Sequence, residues 1–151
     1  MIKLIVVGQI KENYLKEAIL EYEKRITKYT HIKIIEVKDE GLVEKEKAIK
    51  LEGEKINKYI EDKDYVITLE IEGKEISSQE FARKIEEIQI ENSNITFVIG
   101  GSYGIAEEIK QKARLHLSFS KMTFPHQLFR LILLEQIYRA YKINHNESYH
   151  K

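Results

Sequence analysis

The chain predicts an α/β domain with a mostly parallel sheet of five to six strands and helices on both faces. Three observations carry that expectation. Short apolar runs alternate with helix-period segments from one end to the other. Interleaved strands and helices favour a parallel sheet covered on both sides. The 151 residues, 42% hydrophobic and 33% charged, suit one domain spanning 1–151, with no repeat, low-complexity tract or compositional break.

The elements follow in order. Ile2–Val7 reads as a first strand, and Glu12–Lys28 as a helix with Leu15, Ile19, Tyr22 and Ile26 at spacings of three and four. Ile32–Val37 is a second strand. Leu42–Ile60 is a charge-rich helix whose apolar stripe is Val43, Ile49, Ile56 and Tyr59. Tyr65–Ile71 is a third strand, closed by a turn at Glu72-Gly73-Lys74. Ser77 or Ser78 can cap the next helix, with Glu80 and Phe81 in its first turn. Ile95–Ile99, a helix through Ala106–Lys112 and a short strand at Leu115–Ser118 come next. The last helix begins near Pro125, since proline suits a first helical position where its missing N–H has no partner to lose. That helix is apolar around most of its circumference, from Leu128 to Ile143, which predicts burial on nearly every side. One face of a sheet cannot cover it all, so a homodimer interface is expected to cover the rest.

Composition narrows the function classes. Without cysteine there is neither a disulfide framework nor a thiolate metal site. The N-terminus lacks the pattern of a signal peptide, and no segment has the roughly 18 apolar residues of a membrane span. The expectation is a cytoplasmic protein with no membrane partner. Net charge is zero, which argues against nucleic-acid binding by bulk electrostatics. The charge is uneven, however. Residues 1–100 carry 17 Lys and Arg against 21 Asp and Glu, whereas 101–151 carry 8 against 4 and four of the five histidines. The bland reading is solvated helix faces; the sharper one is a basic working end suited to a phosphate-bearing partner.

Two segments carry the chemistry. Phe97-Val-Ile-Gly-Gly-Ser-Tyr-Gly104 runs a strand into a glycine turn that opens a helix, where backbone N–H groups can approach a polar ligand. It fits neither the dinucleotide fingerprint, which needs G-x-G-x-x-G and a carboxylate about 20 residues on, nor a phosphate loop. Alone it is as much a tight turn as a ligand site. Leu117-Ser-Phe-Ser-Lys-Met-Thr-Phe-Pro-His126 offers apolar groups to sandwich a flat base beside amides to read its edge, although a loop packed over the sheet end has the same composition. Ligands of parallel sheets sit beyond the carboxyl ends of the strands, so Leu69–Glu72, Gly100–Gly104 and Phe119–Phe124 are expected to line one crevice. No two histidines have the spacing that places them on one helix face, so no metal is expected. No G-x-S-x-G elbow occurs, and Glu135 and Arg139 read as an i,i+4 ion pair.

Val66-Ile-Thr-Leu-Glu70 with Gly73-Lys74, the two segments above, Glu135-Gln-Ile-Tyr-Arg-Ala140 and the ending Tyr149-His150-Lys151 together resemble the ribosomal RNA large subunit methyltransferase H family of the SPOUT superfamily. Val6-Val7-Gly8 and Glu21-Tyr-Glu-Lys-Arg25 fit as well, so the resemblance covers nearly the whole chain. The stretch from Lys38 to Lys55 is shorter than in such relatives, and Tyr103 replaces the residues usual there. The resemblance implies a C-terminal trefoil knot whose loops bind S-adenosylmethionine at a homodimer interface. It places cofactor contacts on Leu69, Gly100, Phe119, Ser120, Lys121, Met122, Thr123 and Phe124. It implies methylation of N3 of a pseudouridine in helix 69 of 23S rRNA, on the assembled 70S ribosome. His150 and Tyr149, carried over by the partner's tail, are the candidate catalytic groups, and Arg130, Arg139, Lys142 and Lys151 the candidate RNA contacts. Two other readings stay open: a nucleotide-dependent metabolic enzyme, and a non-catalytic ribosome-binding dimer.

Overall fold

A computed structural model describes residues Met1–Lys151. Five strands form one sheet: β1 (Ile2–Val7), β2 (Ile32–Val37), β3 (Asp64–Glu75), β4 (Asn94–Ile99) and β5 (Leu115–Ser118). Their order is β2-β1-β4-β3-β5, and every pairing is parallel. There is no sixth strand. The connecting helices are α1 (Asn13–Ile26), α2 (Lys45–Asn57), α3 (Ser78–Glu91), α4 (Glu107–Lys112) and α5 (His126–Asn144).

Strand alternation sorts the side chains into two cores. Ile2, Leu4, Val6, Ile67, Ile95, Phe97 and Leu117 face α1, α3 and α5 in the larger one. Ile5, Val7, Val66 and Val98 face α2 and α4 in the smaller one. On that second face Lys3 is buried, where its ammonium donates to the Tyr59 carbonyl (2.7 Å) and to Asp64 (2.7 Å). Asp64 also accepts from the Glu61 N–H and the Asn94 amide, so both carboxylate oxygens of the buried pair are hydrogen-bonded.

The boundaries of the sequence reading shift in informative places. Ser77, not Ser78, caps α3, and it does so through a reciprocal capping box with Glu80. Pro125 is the residue before α5 rather than its first turn, with an extended ψ of 136° and its carbonyl accepting from Phe129. In α2 the buried residues are Ala48, Glu52, Gly53 and Ile56, while Val43 precedes the helix and Tyr59 follows it, half out in solvent. Small residues face inward because α2 lies close to the α4 segment: a Cβ on Gly53 would sit 2.6 Å from the Ala106 Cβ.

The expected turn at Glu72-Gly73-Lys74 does not exist. β3 runs through it to Glu75, pairing Leu69 with Leu117, bulging, and pairing Lys74 with the same Leu117. Gly73 is a close-approach glycine, since a Cβ there would meet the backbone of Leu117 at 2.6 Å and His116 at 2.9 Å. Most of α5 is covered without a second chain, contrary to the expectation that the sheet alone would pack on it. α5 lies between α1 and α3 as well as on the sheet, burying Leu133, Leu134, Ile137, Tyr138, Ala140 and Tyr141 within one chain. What remains outside is narrower: Leu128 is exposed, and Leu131 and Ile132 are half-buried.

Candidate functional site

The strand order makes β4, β3 and β5 neighbours, so the stretch of β3 beyond Leu69, where its pairing with β4 ends, converges with the segments leaving the carboxyl ends of β4 and β5. They enclose a cavity of about 350 Å³, inside the range of roughly 300–1,000 Å³ usual for small-molecule sites. Its wall is built from Leu69 to Glu72, Ile99 to Ile105, and the loop after β5. The crevice expected from the strand ends is therefore present.

Each wall has a local cause. The glycine turn closes on itself: Gly104 N–H donates to the Gly101 carbonyl (3.1 Å), and Gly104 takes a φ of +98° that favours glycine. Gly100 is packed from behind, so a Cβ would meet the Gly104 carbonyl oxygen and Ile105 at 2.7 Å. Behind Gly101 lies the Glu52 carboxyl, whose Oε2 accepts from the Glu40 N–H (2.9 Å) and whose Oε1 is buried without a partner. Burial, with Asp39 and Glu40 nearby, pushes Glu52 above the ordinary carboxylate range despite that N–H bond. In the loop after β5, Ser118 Oγ donates to the Ser120 carbonyl (3.0 Å) and Ser120 Oγ accepts from the Met122 N–H (2.9 Å). Phe119 packs edge-on to Phe129 at 5.2 Å, and Phe124 stacks on Phe129 at 6.0 Å, giving the cavity an aromatic floor.

Seven of the eight expected cofactor contacts line this one cavity: Leu69, Gly100, Phe119, Ser120, Met122, Thr123 and Phe124. Lys121 is exposed and outside it. The sequence reading missed a cluster at the mouth. Glu70 Oε2 accepts from Thr68 Oγ1 (2.6 Å) and lies 2.6 Å from His116 Nδ1, while Lys110 reaches its other oxygen at 3.3 Å. Burial alone would raise Glu70, but those three partners outweigh it and hold the carboxyl below its ordinary range. Register could have signalled the cluster, because Thr68 stands directly opposite His116 once β3 and β5 are paired.

The C-terminal candidates gather elsewhere. Arg139 is ion-paired with Glu135 at 2.6 Å, lies over the Tyr149 ring at 4.8 Å, and donates to His150 Nδ1 at 3.0 Å. Arginine can only donate, so His150 Nδ1 accepts from it; the ring's Nε2 lies 2.9 Å from Gln79 Nε2, and it can donate to that side chain only if the amide is turned to present its oxygen. Tyr149 is pushed up to about 12 by burial and by its hydrogen bond with Tyr22, so its phenol keeps its proton at neutral pH. None of these residues lines the cavity of its own chain. Of the expected RNA contacts, Arg130 is buried, its guanidinium bonded to Glu36 (2.7 Å) and to the Gly8 carbonyl (3.3 Å). Lys142 pairs with Glu147 at 2.9 Å, and Lys151 is exposed. No group of three or more metal-ligating side chains forms a cation site, and no helix is long and apolar enough to cross a membrane.

The family described as "Predicted SPOUT methyltransferase" matches residues 1–150. The chain belongs to the SPOUT methyltransferases. Within them it is similar along its whole length to proteins named ribosomal RNA large subunit methyltransferase H. One from Clostridium acetobutylicum is 51% identical over 157 aligned positions, one from Clostridium botulinum (strain Langeland) 52%, and one from Streptococcus uberis 50%. In each case 99% of both chains is covered. A SPOUT methyltransferase needs a methyl donor, and the cavity at the strand ends suits one. It is ligand-sized, its aromatic floor can take a flat base, and its glycine turn brings backbone close to a ligand.

Proposed function

We propose that the protein is an S-adenosylmethionine-dependent rRNA methyltransferase acting on N3 of a pseudouridine in helix 69 of 23S rRNA, on the assembled ribosome. The observation that carries the reading is the convergence of Leu69, Gly100, Phe119, Ser120 and Met122 to Phe124 on one cavity, seven of the eight residues that the family resemblance names. The printed names of the full-length relatives support an rRNA substrate.

The bound cofactor would supply a methyl group already activated on sulfur, which needs no metal. Backbone amides of the glycine turn and the Ser120–Phe124 loop would hold it, and the aromatic floor would seat its base. The chain's remaining tasks are to align the target nitrogen with the methyl and to let the N3 proton leave. In this reading the protein is a homodimer, joined through the outer strip of α5 at Leu128, Leu131 and Ile132, so that one protomer's tail serves its partner's cavity. His150 would receive or relay the proton, turning from the Arg139 guanidinium toward substrate. Tyr149, which keeps its proton, would donate a hydrogen bond rather than act as base. Arg139, Lys142 and Lys151 would meet phosphates only by exchanging Glu135 and Glu147 for them or from the exposed tail, and Arg130 would order the fold behind the site. The reading includes the trefoil knot that the family resemblance implies.

The test is to incubate the purified protein with methyl-labelled S-adenosylmethionine and ribosomes lacking the modification, then map the label. Label on the helix 69 pseudouridine is expected. A folded protein that binds the cofactor and leaves that position unlabelled would overturn the substrate, and one that binds no cofactor would overturn the reaction. His150→Ala is expected to lower kcat at unchanged cofactor affinity; full turnover would remove His150 from the mechanism.

A further inference from the structure

We infer that Tyr103 is the platform on which the target nucleobase stacks as it enters the cavity mouth. This rests on the rRNA methyltransferase reading and names a residue which that reading does not use. Tyr103 sits at the tip of the glycine turn, between Gly101 and Gly104, whose hydrogen bond fixes the turn's base. It lines the cavity and is 38% exposed, so its ring stands at the border of pocket and solvent. No aromatic ring or cation of the chain covers either of its faces. Tyr22, Tyr29, Tyr138, Tyr141 and Tyr149, by contrast, are packed against rings of the core and tail.

The ring is also braced. Its hydroxyl reaches the Gly41 carbonyl at 3.5 Å, the outer limit of a hydrogen bond. The segment carrying Gly41 is itself anchored. Gly41 N–H donates to Asp39 (2.7 Å), Glu40 N–H donates to Glu52 (2.9 Å), and Lys55 pairs with Glu40. Glu52 is the same buried carboxyl that backs Gly101, so one side chain references both the turn and the brace. The turn that carries the ring is thereby held in place, so little of the platform has to be ordered when a base stacks, with or without the weak hydroxyl contact.

The surroundings fit a flat, partly apolar ligand. Ile71, 48% exposed, and Met122, 76% exposed, line the same cavity from β3 and from the loop after β5. With the cofactor in the interior, the remaining flat group that must come within bonding distance of the methyl is the base to be modified. RNA readers hold unstacked bases on aromatic side chains, and such stacking tolerates any base because each has a π-face.

The test compares Tyr103→Ala and Tyr103→Phe with the wild type. It measures KM for unmodified ribosomes, kcat, S-adenosylmethionine affinity by calorimetry, and the melting temperature as a folding control. Tyr103→Ala is expected to raise KM for ribosomes roughly 5- to 150-fold, the loss of one base–aromatic stack. Tyr103→Phe, which keeps the ring, should stay within about threefold, and cofactor affinity should be unchanged in both. An unchanged KM in the alanine variant would overturn the platform, as would a matching loss of cofactor affinity, which would make Tyr103 part of the cofactor site. A wild type that methylates no rRNA would overturn both this inference and the reading beneath it. A wild type that does, beside an unaffected Tyr103→Ala, would overturn this inference alone.

Discussion

Gly100→Ala tests whether the glycine turn is shaped by packing from behind. Gly100 is buried and its φ lies outside the left-handed region, so alanine costs nothing in backbone conformation there. The cost is contact. The new methyl would stand 2.7 Å from the Gly104 carbonyl oxygen and from Ile105 Cγ1, and 2.9 Å from the Gly104 carbonyl carbon. Ordinary contact begins near 3.4 Å, so the turn must retreat by about 0.7 Å. Two of the three obstacles are backbone, which cannot swing aside as a side chain would. Overpacking of this kind costs about 1–3 kcal/mol. For a chain of this size that is a fall in Tm of roughly 2–12 °C. Any of the strain relieved by tilting Gly101–Gly104 into the cavity also weakens cofactor binding. The assay is a thermal melt with and without S-adenosylmethionine, and calorimetric titration of the cofactor. A variant with Tm within about 1 °C of wild type and unchanged affinity would refute the packing account.

Two further outcomes follow from buried charges. Lys3→Met leaves Asp64 as an unpaired buried carboxylate, and urea unfolding at pH 7 should show a loss of about 3–5 kcal/mol. Burial raises the Asp64 pKa, but the Glu61 N–H, Lys3 and Asn94 bonds outweigh it and the net shift is downward. Its contribution is therefore full above the unfolded value of about 3.9 and lost as pH falls through the folded one, so the deficit of Lys3→Met should shrink in acid. A deficit independent of pH would contradict the pairing. Glu52 has the opposite sign: burial raises its folded pKa, so wild-type stability falls as pH rises from about 4.3 through that value. Glu52→Gln should remove that part of the slope and be at least as stable near pH 8; identical pH profiles for the two proteins would count against a raised Glu52 pKa.

The sequence discloses this fold where periodicity and burial coincide. β1 and β4 are buried at every position because helices cover both faces, and β5 is read at its true boundaries. The cavity was legible too, since the strand-end rule and the loop after β5 name adjacent walls. Errors arise where one residue type serves two physical ends. Gly73 reads as a turn because glycine usually marks one, whereas here it lets β3 and β5 approach. Arg130 and Lys142 read as available cations because sequence shows a charge and not its partner, and Glu36 and Glu147 lie 94 and 5 residues away. Glu52 reads as one more charge on a solvated helix, since nothing local announces that Gly101 will pack on it.

The place of α5 in the layers has a consequence for biosynthesis. Six of the 21 residues of the larger core, Leu133, Leu134, Ile137, Tyr138, Ala140 and Tyr141, come from this last helix. The sheet beneath is also built from distant pieces, since β1 waits for β4, with Ile2 opposite Ile95. A nascent chain that has released α1 through α3 thus lacks the strand between β1 and β3 and the helix between α1 and α3, and no local unit can fill either gap. Folding of the larger core is expected to complete only once α5 has been released and can dock between α1 and α3. Until then the growing polypeptide depends on whatever shields apolar surface at the synthesis site.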